Sequence, residues 1–343
     1  MSGNRHFART VGEKVVTPNN GPSSNTGTLM AYLKQVVNVT GGVFGDIWFV
    51  DYGSGADTND GKSPATAFKT LSAAISAVTT NNNDVIFIDG NSTVVETAMV
   101  SLTKNRVHIV GINGTPGLLG QGAKVSCTIT TGASNIATFK NTGVRNTISN
   151  VKFINSSTVA EGIYCVAEGG EFTRYFNVEM YKDTDLDVTG AAELLMNGDS
   201  SQFYKCVIGS TVNAISGAIL RPCVLLTRET ITGKVARDFI FEDCIFLRKC
   251  GNSGNRFVYG ANATDVERMG LFKKCLFWNA KLSTATPAQN VAFGSAQTQG
   301  EVLLWDCAAQ NCGTAMSTTT GVFVLGCTPD ATGAAAGISI QAA

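Results

Sequence analysis

Apolar positions along this chain recur with two different spacings. In "TLMAYLKQVVNV", residues 28 to 39, Leu29, Tyr32, Leu33, Val36 and Val37 fall on one helical stripe that ends at Gly41 and Gly42. The preceding 27 residues are polar, carry Pro18 and Pro22, and predict an extended arm. Ile47 to Val50 predict a strand, followed by a Gly/Asp/Asn-rich loop. The run from Pro64 to Val78 then places Phe68, Leu71, Ala74, Ile75 and Val78 on one helical face, with Pro64 in the first turn. "DVIFIDG" predicts a short buried strand. Beyond about residue 125 no helical period of useful length remains. Short β-branched and aromatic runs instead alternate with clusters of Gly, Asn, Ser and Thr.

That second region repeats. "QFYKCVIG", "FEDCIFL", "LFKKCLFW" and "LLWDCAAQ" align on Cys206, Cys244, Cys275 and Cys307, and Cys327 continues the series. "ISNVKF" and "RYFNVEM" fit the same frame with Asn150 and Asn177 in the cysteine column, giving successive intervals of 27, 29, 38, 31, 32 and 20 residues. One turn of a three-sided β-solenoid takes about 20 residues, and loops of any length can leave its corners, so the shortest interval predicts a bare coil. Equivalent positions then stack at about 4.8 Å along the axis. A small, readily buried side chain suits such a column, and free Cys is among the most often buried types. Three residues before each cysteine stands Phe203, Phe241, Phe272, Leu304 or Val324. An odd offset cannot hold both side chains on one face of a straight strand, so a bend is expected between them. Lys205, Asp243, Lys274, Asp306 and Gly326, each just before a cysteine, suit its outside. Disulfides are the rival reading of the cysteines. Zinc fits worse, since no C-x-x-C pair exists and the only histidines are His6 and His108.

Composition agrees with a turn-rich all-β chain. Charged residues make up 15% of 343 positions and there are 37 glycines, against a usual charged share of about a quarter and a glycine share of about 7%. The 26 basic residues balance the 26 acidic ones, which offers no basic field for nucleic acid and no acidic tail. No apolar run approaches the roughly 20 residues that span a bilayer, so membrane insertion is not expected. No apolar stretch follows the basic N-terminal residues, so a signal peptide is not expected either, and synthesis in a reducing cytoplasm is.

Residues 47 to 90 carry a strand, "GSGADTNDG", "SPATAFKTLSAAI" and "DVIFIDG" in succession. This resembles the start of right-handed parallel β-helix proteins of the pectin-lyase-like superfamily, with "VHIVGING" as the first full coil. The resemblance implies an all-β, three-sided right-handed parallel β-helix over residues 46–343, with a cap at 46–90 and closing strands at 320–343. Residues 1–45 would form an arm and short helix. In character the chain is most similar to bacteriophage spike, fibre and capsid-decoration proteins. That implies a virion protein made in the host cytoplasm, commonly a homotrimer, whose partners are its own copies, capsid or tail proteins and, in a tailspike-like alternative, a host surface glycan. Arg5, Arg9 and Lys14, with Leu29, Tyr32, Leu33 and Val36 of the helix, are then the expected attachment residues. A frayed, solvated arm fits the basic residues equally.

Catalytic signals are weak, and no enzyme activity and no cofactor are expected. Asp183, Asp185 and Asp187 alternate as metal ligands would on an extended segment, but Val188 and Leu194 stand where a calcium-binding EF-hand loop needs Gly and Glu. Asp57, Asn59 and Asp60 fit either calcium or a turn. A glycosidase needs two carboxylates about 5 to 9.5 Å apart. Glu161, Glu168, Glu171, Glu179, Asp199 and Asp243 all qualify by stacking, which singles out none of them. "GINGTPGLLGQGAK" lacks the Lys-Ser/Thr ending of a phosphate loop.

Overall fold

Side chains that alternate inward and outward along strands of two to eight residues, each followed by a bend or a loop, wind the chain into a solenoid. The computed structural model describes residues 45–89, 95–112, 123–128, 136–157, 163–182, 190–211, 221–228, 234–249, 256–280, 290–312 and 315–328. Residues 1–44, with all seven expected attachment residues and the helix of Leu29 to Val37, lie outside that set. So do Glu161, Asp183, Asp185, Asp187 and the end of the closing segment, 329–343.

Three sheets form the walls, and every strand pairing in them is parallel. Among the described residues, sheet A has ten strands, from Ile47–Asp51 to Val322–Leu325. Sheet B has eight, from Val95–Glu96 to Ala308–Gln310, and sheet C seven, from Val100–Leu102 to Val291–Phe293. The chain visits A, B and C in turn in each coil, so strands adjacent in a sheet belong to successive coils. Connections between sheets B and C vary most in length, from the three residues between Glu96 and Val100 to the fourteen between Gly209 and Val224.

The interior is a set of columns. Ile109, Ile148, Tyr175, Phe203, Phe241, Phe272, Leu304 and Val324 share one inner register on sheet A. From Tyr175 to Phe272 the rings stack face to face at 4.7, 4.5 and 4.8 Å with planes within 8°. Coil spacing in a parallel sheet matches the offset-stacking distance of aromatic rings, so one geometry satisfies backbone and side chain together. Gly270 leaves room for the Phe239 ring, which packs edge-on against Phe241 and Phe272; a Cβ at Gly270 would come within 2.2 Å of that ring.

At the first end the α-helix Leu71–Ala77 covers the interior with Leu71, Ala74 and Ile75. The expected continuous helix from Pro64 to Val78 is interrupted. Pro64–Thr66 is one 3-10 turn, Ala67 and Thr70 are extended, and Phe68 bridges to Val50 as a strand residue. The Asp57 carboxylate explains the break. It accepts the amides of Lys69 and Thr70 at 2.9 and 2.8 Å and the Thr70 hydroxyl at 3.0 Å, while that hydroxyl caps the helix by accepting from Ala73 N–H. Asp60 and Asn59 hold the same loop, through Thr66 and Ala67. The triad proposed for calcium is occupied as turn staples.

Candidate functional site

The five predicted ladder cysteines stack in one column of sheet B. Residue pairing runs one position after them, from Val207 through Ile245, Leu276 and Ala308 to Thr328. All five are buried and unbridged, as are four more described cysteines apart from half-buried Cys312. Each thiol reaches a main-chain carbonyl one coil back in the aromatic column: Cys244 to Phe203 at 3.3 Å, Cys275 to Phe241 at 3.4 Å, Cys307 to Phe272 at 3.4 Å. Burial pushes the Cys244 thiol well up from its ordinary value and, outside the column, the Cys127 thiol up to about 12.

Asn150 and Asn177 do not belong to that column. Register aligns Val151 and Val178 with Cys206, and the two asparagines stand one position earlier, in line with Lys205, Asp243, Lys274, Asp306 and Gly326. All seven have φ between +52° and +62°, so each is the left-handed residue that turns the chain from sheet A into sheet B. Asn fits because it tolerates this conformation better than other side chains do. The Asn177 amide also donates to the Asn150 carbonyl oxygen at 2.8 Å, forming a ladder of its own on the outside of the bend.

The carboxylates considered for catalysis divide sharply. Glu179 is buried against Lys152 at 2.7 Å, and Asp243 is an exposed bend residue. Glu168, Glu171 and Asp199 come together at the opposite corner, from sheet C into sheet A. There a cleft of about 190 Å³ is lined by Gly169, Gly170, Glu171, Asn197, Asp199, Lys234, Val235 and Arg237. Glu171 and Asp199 are paired across successive coils, and Arg237 follows Asp199 in the same column. Phe172, next along from Glu171, has φ +54° and is 48% exposed at the rim, with the Arg145 guanidinium 5.7 Å from its ring.

Glu168 lies beneath this floor with no exposure. It accepts from the Tyr175 hydroxyl, Asn141 Nδ2 at 2.9 Å, Gly170 N–H at 2.7 Å and the Ser201 hydroxyl at 3.2 Å. Burial raises its carboxyl above the ordinary value, against the pull of those four donors. At Asp199 partial burial also acts upward, but the Arg237 guanidinium and the Ser200 hydroxyl outweigh it and hold the carboxyl below the ordinary range. Lys234 reaches over the cleft to donate to the Gly169 carbonyl. The arrangement thus has one sealed acid, one acid tied in an ion pair, and Glu171 at the opening. Among the described residues, no three His, Cys, Asp or Glu side chains group as a metal site.

Lys234, Arg237, Asn197 and the two glycines were not found from the sequence, although a signal was there. Residues 141–151, 168–178 and 196–206 align without gaps, with Gly143, Gly170 and Gly198 in third place. A Cβ at Gly170 would come within 2.3 Å of the Gly143 carbonyl oxygen, and one at Gly198 within 2.6 Å of the Gly170 oxygen, so the corner stacks only on glycine. The same alignment sets Val151 and Val178 opposite Cys206.

No protein-family profile matches the chain. No curated protein matches it in sequence either. Solved structures do match in shape. Pectate lyase Pel9A aligns with TM-score 0.55 and 12% identity over 84% of this chain and 70% of that one. A rhamnogalacturonan lyase aligns at 0.55 and 12% over 82% and 73%, and the pectin methylesterase of carrot at 0.50 and 13% over 82% and 78%. Identity this low speaks for architecture alone, and in architecture the chain is a right-handed parallel β-helix like these structures.

Proposed function

We propose that this chain is a non-enzymatic structural protein of a bacteriophage virion, a β-helical capsid-decoration protein or a short spike, working as an assembly of its own copies. The observation that supports it best is how the acids of the corner cleft are used. Hydrolysis of a glycosidic bond by a carboxylate pair needs one carboxyl to give a proton and a second to act as base or nucleophile, both in reach of substrate. Glu168 is sealed under four donors and Asp199 is held by Arg237, so both serve the corner rather than a substrate. The virion assignment itself rests on the likeness of the overall organisation, an N-terminal arm and helix before a capped β-helix with a low-charge C-terminal end, to phage spike, fibre and decoration proteins. Deleting residues 1–45 tests it. The truncated protein is expected to keep its β circular dichroism and lose co-sedimentation with phage particles, and retained co-sedimentation would overturn the reading.

One observation favours a tailspike-like alternative that binds or cleaves a host polysaccharide: Glu171 and Asp199 open into one cleft from successive coils. On that reading the protein releases reducing ends from host surface polysaccharide, and Glu171→Gln abolishes the release. On the structural reading neither wild type nor variant releases any.

A further inference from the structure

Where sheet B ends and the chain turns toward sheet C, the solenoid buries a column that is not apolar. Cys127, Asn155 and Lys182 follow one another there in register, on strands of three successive coils. Asn155 is fully buried and Lys182 is 1% exposed. Lysine seldom sits this deep, because its ammonium must give up hydration. The Lys182 ammonium donates to the Ser157 carbonyl oxygen at 3.1 Å. Ser157, also fully buried, donates its own amide N–H to Asn155 Oδ1 at 2.8 Å, and Asn155 Nδ2 donates to the Tyr164 carbonyl. An amine and a carboxamide from adjacent coils are thus held in one hydrogen-bonded group, out of water. Burial, with the positive charge of Arg221, brings the Lys182 ammonium down to about 8, against a weaker opposing pull from Cys165 and Glu193. Glu193 is itself engaged by Arg248 and, at 3.6 Å, by Arg221. Roughly a tenth of such an amine is neutral at pH 7.

We propose that Lys182 and Asn155 join in an isopeptide bond that the folded chain forms by itself and that staples the two coils together. The neutral Lys182 amine attacks Asn155 Cγ, and a C–N bond forms as the carbonyl π pair moves onto Oδ1. The Ser157 N–H already at Oδ1 is placed to hold the charge that develops there. Collapse of the adduct breaks the bond from Cγ to Nδ2. A proton shed by the attacking nitrogen passes to the leaving one, ammonia departs, and a neutral secondary amide remains. Nothing is oxidised or reduced, and no co-reactant is consumed. Register sets the two side chains in neighbouring positions before any reaction, which replaces a chance encounter with a held one. A desolvated lysine beside a second cation is a nucleophile in its neutral form. The dry surroundings withhold the water that would otherwise hydrolyse the same carboxamide. Amide formation also removes a charge that is costly to bury. On the strand of Asn155, Lys152 offers a contrast, since it is part-exposed and tied to Glu179 in an ion pair. The bond goes beyond the virion reading and does not depend on it.

Mass spectrometry of the full chain tests this. After incubation at about pH 9, where the neutral amine prevails, the intact protein should be lighter than its sequence by one ammonia. Trypsin should then fail to cut after Lys182, and fragmentation should place the link between Asn155 and Lys182. Lys182→Met and Asn155→Ala should each keep the full sequence mass. Chain recovered unfolded and kept in urea should form the link at least about a hundredfold more slowly, because it lacks the held geometry. A wild type of full mass overturns the proposal. Ammonia loss with normal cleavage after Lys182 also overturns it, since that product is a succinimide, for which Asn197 before Gly198 is the ready site. Equal rates in the folded and unfolded chain do the same. The peptide map is read on the wild type, so it gives its answer even if neither variant folds.

Discussion

A thiol in the sheet B column gives its hydrogen to the carbonyl of an aromatic residue one coil back, so it closes the bend between two walls as well as filling space. Sulfur is a weak donor, and most of its contribution here is packing. Val151 and Val178 occupy the same column without that bond. Cys244→Val is therefore expected to shift the urea midpoint by less than about 1 kcal/mol, whereas Cys244→Asn, which buries an amide among apolar groups, should cost about 2 kcal/mol or more. The bend residue one position earlier obeys a different rule. Lys205 and Lys274 hold φ +52° and +53°, a conformation that is unfavourable by about 1 kcal/mol for an ordinary side chain and that Asn accepts more readily. Lys274→Asn should raise stability by up to about 1 kcal/mol, read as a higher melting temperature. These two columns also show where the sequence was legible. The cysteines gave the correct register among themselves because they share one chemistry. Asn150 and Asn177 were set one place wrong because a small polar residue fits a buried column and a left-handed bend equally well on paper. Only the backbone angle separates the two.

Elements at the corner between sheets C and A are joined by charge. Glu171, Asp199, Arg237 and Glu267 succeed one another in one column, and Arg237 meets both Asp199 and, at 3.6 Å, Glu267. The folded-state pKa of Asp199 is depressed, so its contribution is present above the unfolded value of about 3.9 and is lost as pH falls through the folded value. Glu168 has the opposite sign. Its folded pKa is raised, so its contribution is complete below the unfolded value of about 4.3 and declines as pH rises through the folded one. Asp199→Asn should lower the melting temperature at pH 7 by an amount equivalent to about 1 kcal/mol or less, because the pair is part-exposed, and should match wild type near pH 2. A difference that persists unchanged in acid would mean that shape rather than charge holds this corner. The acids of this site were visible in the sequence as residues but not as a group. Glu168 and Glu179 are both glutamates on strands, yet one sits under four donors and the other beside a lysine, and of those partners Asn141, Ser201 and Lys152 arrive from neighbouring coils. The helix expected over residues 64–78 is interrupted for a related reason. Its apolar period is genuine, but Asp57, from a loop twelve residues away, takes the amides that a continuous helix would have needed.

The described coils form a stack in which backbone pairing joins each coil only to the ones before and after it, so stability is expected to be largely local along the axis. This is why the solenoid could be foreseen from a recurring residue while the cleft could not: the repeat is a nearest-neighbour property, and the cleft depends on which side chains three successive coils present at one corner. It also makes the capped end testable by itself. Leu71, fully buried, ties the helix Leu71–Ala77 to the interior, and its amide donates to Glu96 Oε1 at 2.8 Å, the same oxygen that accepts the Tyr52 hydroxyl at 2.9 Å. Leu71→Ala keeps that amide and removes the packing, at a cost of about 2 to 5 kcal/mol. In a globular core such a loss would lower protection everywhere. Here hydrogen exchange should quicken at the amides of Ile47–Asp51 and Asp84–Asp89, the first two strands of sheet A, and leave those of Ala236–Glu242 and Val266–Lys273 at wild-type rates. Exchange that accelerates equally in the stacked-ring coils would show that the solenoid unfolds as one cooperative block, and that the column of rings, rather than coil-to-coil contact, sets its unit of stability.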